Sequence, residues 1–245
     1  MKKIHFETID STNAYLKEHH RECVDFSLIS ADHQTAGRGR LGRVWTDEGK
    51  SALFSILVKT NISVSTVDKV PLVAACAVHK VLCRYLSGML IKWPNDIVYK
   101  GQKIAGILVE SVIEEKQVVA LIIGIGININ NRSFGPTIAY KSSSLFLEKG
   151  KEFPIGAIID EIAEMFEAEY KKFEDGLTEY IRYCNNFSAL EGRDVRFTKD
   201  GEAKEGVAGM MQPDGSLLIQ TIYGPVQIRS GEVTLQSYYF NPSDR

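Results

Sequence analysis

Gly37-Arg38-Gly39-Arg40-Leu41-Gly42-Arg43, followed one residue later by Trp45, is the stretch from which the rest of the chain is read. Three glycines and three arginines fall within seven residues, with Gln34 and Thr35 just before them. Such a segment is not core, because three guanidiniums would be buried without partners. Nor is it a stable helix, since each glycine costs roughly 1 kcal/mol relative to alanine. It reads as a loop that exposes backbone N–H groups and carries three charged forks suited to carboxylate and phosphate oxygens. The loop is a clamp for an anionic ligand.

Two motif matches fail on context. Gly37, Gly39 and Gly42 satisfy the dinucleotide pattern G-x-G-x-x-G, but that fingerprint needs a helix opening at the third glycine. Here the chain runs instead into Ser51–Val58, an apolar strand. Gly49-Lys50-Ser51 ends like a phosphate-binding P-loop, yet Val44 stands where that motif requires glycine.

Outward from the loop, 245 residues suffice for one large domain and a small one. Apolar content of 44% and charged content of 24% are ordinary globular values. A net charge of −2 argues against a nucleic-acid-coating surface, so the loop arginines are a local device. Cys23, Cys76, Cys83 and Cys184 have no metal-ligand spacing and read as reduced thiols of a cytoplasmic protein, Cys76 and Cys83 facing the core. The N-terminus lacks the apolar segment of a signal peptide, and no run is long enough for a membrane helix.

Before the loop, Ile4–Ile9 reads as a strand ending at Asp10-Ser11-Thr12-Asn13, polar residues that open a helix over Ala14–His20. Ser11 or Thr12 would cap it, and a helix N-terminus also suits a polar ligand group. After the loop, a scaffold helix spans about 65–86. Ile91–Tyr99 is a strand interrupted at Pro94, with Asn95-Asp96 in a turn or bulge. Lys100-Gly101 turns the chain into a strand that begins at Lys103 and contains Gly106. Val118–Asn130, nearly all apolar, is a central strand whose Gly124, Gly126 and Asn128 invite a planar ligand. Phe153–Phe173 and Leu177–Cys184 are helices, the first clearly amphipathic. From about Ser188, strands at 194–198, 205–211, 216–222 and 225–228 with regular turn signals predict a small barrel.

Taken together, Ser11-Thr12-Asn13, the Gly-Arg loop, Lys92-Trp93-Pro94-Asn95-Asp96, Lys103-Ile104-Ala105-Gly106 and Gly124–Asn128 resemble the motifs of the biotin protein ligases, in that family's order and spacing. With the terminal barrel, the resemblance covers nearly the whole chain. It implies an α/β (α+β) catalytic domain, residues 1–187, with a central mixed β-sheet flanked by helices. A small C-terminal SH3-like β-barrel, residues 188–245, would follow. It also implies that ATP activates biotin to biotinyl-5′-AMP, and that biotin then passes to one lysine of the biotin carboxyl carrier domain of a biotin-dependent carboxylase.

By the same resemblance, Ser11, Thr12, Asn13 and Gln34 surround the ureido ring of biotin, and Gly37, Gly39, Gly106 and Gly124 let the ligand approach the backbone. Arg38 and Arg40 hold the carboxylate and phosphate region, and Lys103 stands at the reacting oxygens. Arg43, Trp45, Asn95 and Asn128, together with Arg40, belong to the ATP and adenylate side. Asp96 orients or deprotonates the incoming acceptor lysine. Mg²⁺ would ride on the nucleotide, with no metal cage built by the protein.

Leu41 stands where some family members have arginine, which bears on adenylate retention. Only ten residues precede Ser11, so the repressor function of members that carry an N-terminal DNA-binding domain is not expected. Two other readings remain: a lipoate protein ligase, which shares the fold and an equivalent lysine, and a non-catalytic biotin or nucleotide sensor. Nucleic acid and membrane are not expected as partners. Pairing of sheet edges would build a homodimer, but no sequence feature selects monomer or dimer. Nor does the sequence name the acceptor carboxylase or fix the role of the barrel.

Overall fold

The computed structural model describes residues 1–45, 49–173, 176–229, 231 and 233–235. Seven strands build the main sheet: β1 (Lys3–Ile9), β2 (Leu28–Gln34), β3 (Ser51–Lys59), β4 (Leu90–Lys92), β5 (Asp96–Tyr99), β6 (Gln102–Glu114) and β7 (Gln117–Asn128). Their order is β1-β2-β3-β7-β6-β5-β4, so the near-continuous apolar run of β7 occupies the centre. Strands β1 and β2 are parallel and the other pairs antiparallel, which makes the sheet mixed.

Helices cover both faces. Helix α1 (Thr12–Glu18) packs Leu16 on one face with Ile29, Leu57, Ala120 and Ile122. A short α2 (Val64–Val67) leads into α3 (Val70–Tyr85). After α4 (Leu145–Lys149), helices α5 (Ile155–Phe173) and α6 (Thr178–Asn186) join α3 over the opposite face. There Phe54, Ile56, Ile107, Ile123 and Ile125 meet Val73, Ala77, Ile158, Ile162 and Phe166. The two-residue period of β3, β6 and β7 therefore divides their side chains between a thick core and a thinner face under α1.

Two local expectations change. The helix predicted over 65–86 is broken into α2 and α3, because Pro71 has no N–H to donate and is accommodated only in the first turn of the second helix. The interrupted strand at 91–99 is a hairpin, β4 and β5 being joined through Trp93-Pro94-Asn95 with a cis Trp93–Pro94 peptide. Cys76 is fully buried and half-buried Cys83, beside His79, packs against the same core, as expected of both.

The C-terminal strands are β8 (Asp194–Lys199), β9 (Glu202–Met211), β10 (Leu217–Thr221), β11 (Gly224–Ile228) and β12 (Val233–Leu235). They form a second, antiparallel sheet in the order β11-β10-β9-β8-β12. Three-residue β12 was not anticipated, since so short a strand carries no readable alternation. Val195, Phe197, Leu217 and Ile219 from this sheet continue the main core. Trp93 Nε1 donates to Gly215 O at 3.1 Å, tying the sheet to the β4–β5 turn. Residues 236–245 of the predicted C-terminal unit lie outside the described residues.

Candidate active site

The thinner face of the sheet has a gap beside α1. Register places Leu53, Gly126, Gly106 and Asp96 in one row across β3, β7, β6 and β5, and Ser55, Gly124 and Leu108 in the next row. Three glycines in two adjacent rows remove the side chains that would fill this space. The result is a cavity of about 210 Å³. A Cβ added at Gly124 would run into the Asn13 amide, and one at Gly126 would come within 2.7 Å of the Trp45 ring. At Gly106 it would approach Lys103 Nζ to 2.7 Å. At Gly124 and Gly126 the close approach demands glycine, whereas at Gly106 the end of the Lys103 side chain has only to move aside.

The wall above the floor is the start of α1. Ser11 is extended and caps the helix, its Oγ accepting from Ala14 N at 3.3 Å. Gln34 at the end of β2 reaches across, its Oε1 accepting from Thr12 N at 2.7 Å. Ser11, Thr12 and Asn13 are buried, and all three line the cavity with Gln34.

Over the opening, the Gly-Arg segment folds into a narrow hairpin. Gly39 N donates to Arg43 O at 2.7 Å and Trp45 N to Gly37 O at 3.0 Å. Leu41 at the tip has φ 57° and is 76% exposed, so its side chain leaves the cavity rather than lining it. Arg40 is anchored from two sides: Nη1 donates to Asn95 Oδ1 at 2.9 Å and Nη2 to Gly231 O at 3.2 Å. The Trp45 indole lies on the Gly106–Gly126 row with its N–H buried and without an acceptor among the described residues. Lys103 Nζ sits 5.5 Å from that ring's centroid and 2.7 Å from Asp96 Oδ1.

The cavity thus gathers Ser11, Thr12, Asn13, Gln34, Arg38, Gly39, Arg40, Trp45, Asn95, Lys103, Gly106 and Gly124, all singled out in the sequence. Gly37, Arg43, Asp96 and Asn128, also singled out, do not line it. Asp96 stands behind Lys103. Asn128 is buried and donates to Ser143 O at 3.0 Å and Lys103 O at 3.3 Å, which fixes the backbone beneath Lys103. Gly37 and Arg43 hold the hairpin through their carbonyls.

Sequence reasoning passed over Ser55, Lys17 and Glu110 and counted Gly126 only among the β7 residues that invite a planar ligand. The signals were present: a hydroxyl in the middle of apolar β3, a carboxylate at the end of the apolar stretch of β6, and a second glycine one period-two step beyond Gly124. A floor without side chains, a polar wall for a neutral heterocycle and a cationic edge suit a flat ligand that ends in an anion.

Residues 5–128, which supply every one of these cavity residues, match the biotin/lipoate A/B protein ligase family. The chain belongs to that family. Among ligases of known name, it is 33% identical over 215 residues to the bifunctional ligase/repressor BirA of Bacillus spizizenii, an alignment covering 85% of this chain. It spans 66% of the length of that relative. It is 33% identical over 123 residues to the biotin–[acetyl-CoA-carboxylase] ligase of Paracoccus denitrificans, covering 49% of this chain and 51% of that protein. The fold superposes on the biotin protein ligase of Aquifex aeolicus in complex with biotin and ATP with a TM-score of 0.83 and 28% identity, covering 96% of this chain and 98% of that one. The mixed α/β architecture expected from the ligase motifs is therefore the one observed.

Proposed function

We propose that this chain is an ATP-dependent biotin protein ligase. It joins biotin and ATP into biotinyl-5′-AMP with loss of pyrophosphate, then passes the biotinyl group to one lysine of a biotin carboxyl carrier domain. The observation that carries this reading is the grouping of Arg38, Arg40 and Lys103 around a glycine-floored cavity to which Ser11, Thr12, Asn13 and Gln34 add uncharged polar groups.

In the first step a biotin carboxylate oxygen attacks the α-phosphorus and the bond to pyrophosphate breaks. Both reactants are anions, so the step needs fixed positive charge and alignment more than a base. Lys103 supplies charge at the carboxylate and phosphoryl oxygens, and Arg38 and Arg40 supply bidentate donors beside it. Ser11, Thr12, Asn13 and Gln34 meet the ureido ring, which offers both N–H donors and a carbonyl acceptor. Gly37, Gly39, Gly106 and Gly124 allow backbone approach. Trp45, Asn95, Asn128 and Arg43 serve the adenylate side, Asn128 by setting the Lys103 backbone and Asn95 by holding Arg40. Mg²⁺ arrives on the nucleotide phosphates.

In the second step the acceptor amine attacks the acyl carbon, the bond to the adenylate oxygen breaks, and AMP leaves while the amine loses a proton. Asp96 orients that amine or takes its proton. A hairpin held over the site shields the adenylate from water. We assign residues 1–187 to the catalytic domain and 188–245 to an SH3-like barrel domain. The working compartment is the cytoplasm. A net charge of −2 favours a protein acceptor over nucleic acid as the partner, and a homodimer would form by sheet-edge pairing.

The deciding experiment measures pyrophosphate release from ATP with biotin or lipoate, with and without a carrier domain. Release with biotin and biotin on the carrier lysine is expected. Release with lipoate alone would make the chain a lipoate ligase, and binding without release would make it a sensor.

A further inference from the structure

Behind the cavity wall runs a chain of hydrogen bonds that begins at a carboxylate. Asn13 Nδ2 donates to Glu110 Oε2 at 2.8 Å. Ser55 Oγ donates to Asn13 Oδ1 at 2.6 Å. Ser55 Oγ and Thr12 Oγ1 are again 2.6 Å apart. Thr12 Oγ1 lies 3.1 Å from Gln34 Oε1, which already accepts the Thr12 N–H at 2.7 Å. Ser55 is completely buried, and Thr12 and Asn13 nearly so.

The proton directions in this chain follow from the inventory of each group. A carboxylate only accepts, an amide has one donating and one accepting end, and a hydroxyl has a single proton. Glu110, with Lys17 Nζ 3.5 Å from its other oxygen, forces the NH₂ of Asn13 toward itself. The Asn13 carbonyl then faces Ser55 and takes its only proton. The short Ser55–Thr12 contact is satisfied only when Thr12 donates, because Ser55 has no proton left. Gln34 Oε1 competes weakly for that proton, being farther away and already engaged. With its proton turned inward, Thr12 keeps a lone pair for the cavity.

Resting on the ligase reading, we propose that Glu110 is a positioning residue for the ring end of the substrate. Through Asn13 and Ser55 it fixes Thr12 as an acceptor, so that the cavity selects a ligand presenting an N–H at that point, as an edge of a cyclic urea does.

The test is ATP–pyrophosphate exchange by the purified chain at varied biotin concentration. In Glu110→Gln the residue at 110 can offer either amide end, and the chain of donors is no longer directed. The biotin KM is expected to rise about ten-fold, the loss of one well-aligned bond, while kcat and the ATP KM stay within about two-fold. Ser55→Ala cuts the same chain one link nearer Thr12 and leaves every group that meets the ring in place; it should raise the biotin KM by a similar factor, again without lowering kcat.

A role limited to the Lys17 ion pair would leave the biotin KM unchanged in Ser55→Ala, which keeps that pair. A biotin KM unchanged in either variant, or a kcat that falls with the rise in KM, overturns the proposal. Should thermal unfolding show Glu110→Gln misfolded, Ser55→Ala alone decides. Wild-type protein without biotin-dependent exchange would instead sink the ligase reading.

Discussion

Lys103 Nζ lies 2.7 Å from Asp96 Oδ1, yet that buried oxygen has no aligned hydrogen-bond donor among the described residues. The ammonium is held by charge and not locked by direction. Asp96 sits opposite Gly106 in the register, directly beside the cavity floor, while Lys103 lines the cavity itself. The pair keeps the cation in place and leaves it able to turn toward an arriving oxyanion.

Removal of that cation should be severe. Lys103→Ala is expected to lower biotin-dependent pyrophosphate exchange by about 100-fold or more, the size of effect seen when a donor to developing negative charge is lost. Near-normal exchange would take Lys103 out of the chemistry.

Neutralising its partner should separate the two half-reactions. In Asp96→Asn, transfer from preformed adenylate to the carrier lysine should slow about ten-fold more than adenylate formation does, because only transfer needs a proton acceptor. Single-turnover transfer compared with exchange measures this ratio. Equal losses would leave Asp96 as a partner of Lys103 alone.

Arg40 ties the hairpin to Asn95 of the β4–β5 turn and to Gly231 of the C-terminal segment. Arg40→Gly removes two charge-assisted bonds, so adenylate release should accelerate by about ten-fold or more. Biotin appearing on a bystander protein is the readout. Unchanged retention would show that the hairpin closes without this arginine.

The glycine floor should separate the two ends of the site. Gly124→Ala pushes against Asn13 and should raise the biotin KM, whereas Gly126→Ala pushes against Trp45 and should act on ATP. About ten-fold for the affected substrate is expected, the cost of a modest overpacking strain. Steady-state kinetics with each substrate varied would reveal both; matching effects on both substrates would refute the division.

His79 is buried in α3 with Nδ1 2.9 Å from Tyr183 OH and Nε2 2.9 Å from Met89 O. Burial lowers its pKa below the usual 6.5. The unfolded chain therefore binds a proton that the folded chain refuses. The stability contributed by neutral His79 is complete above pH 6.5 and is lost as pH falls from there through the folded pKa. Unfolding temperature should decline on acidification through this window, and a His79→Gln variant should show a shallower decline. Parallel slopes would assign the effect elsewhere.

The polar and charged residues that needed no partner to be noticed were legible in the chain itself. Three arginines between glycines cannot be core, and an apolar β7 ending in glycines cannot be an edge. The near-continuous apolar run of Val118–Asn130 likewise announced a central strand, and the period of Ile155–Phe173 a helix, because local pattern is a property of the chain alone. What tertiary structure decided was coincidence in space. Register put Gly106, Gly124 and Gly126 on one face, from strands that meet only after β6 and β7 fold back on each other. Ser55 and Glu110 passed unnoticed, a hydroxyl inside β3 and a carboxylate inside β6. Their 42- and 97-residue separations from Asn13 vanish only when β3, β6 and α1 close around the cavity. Sequence determines which groups are available and on which face each will stand. The direction of a hydrogen bond depends on which atoms meet, and that is settled by packing.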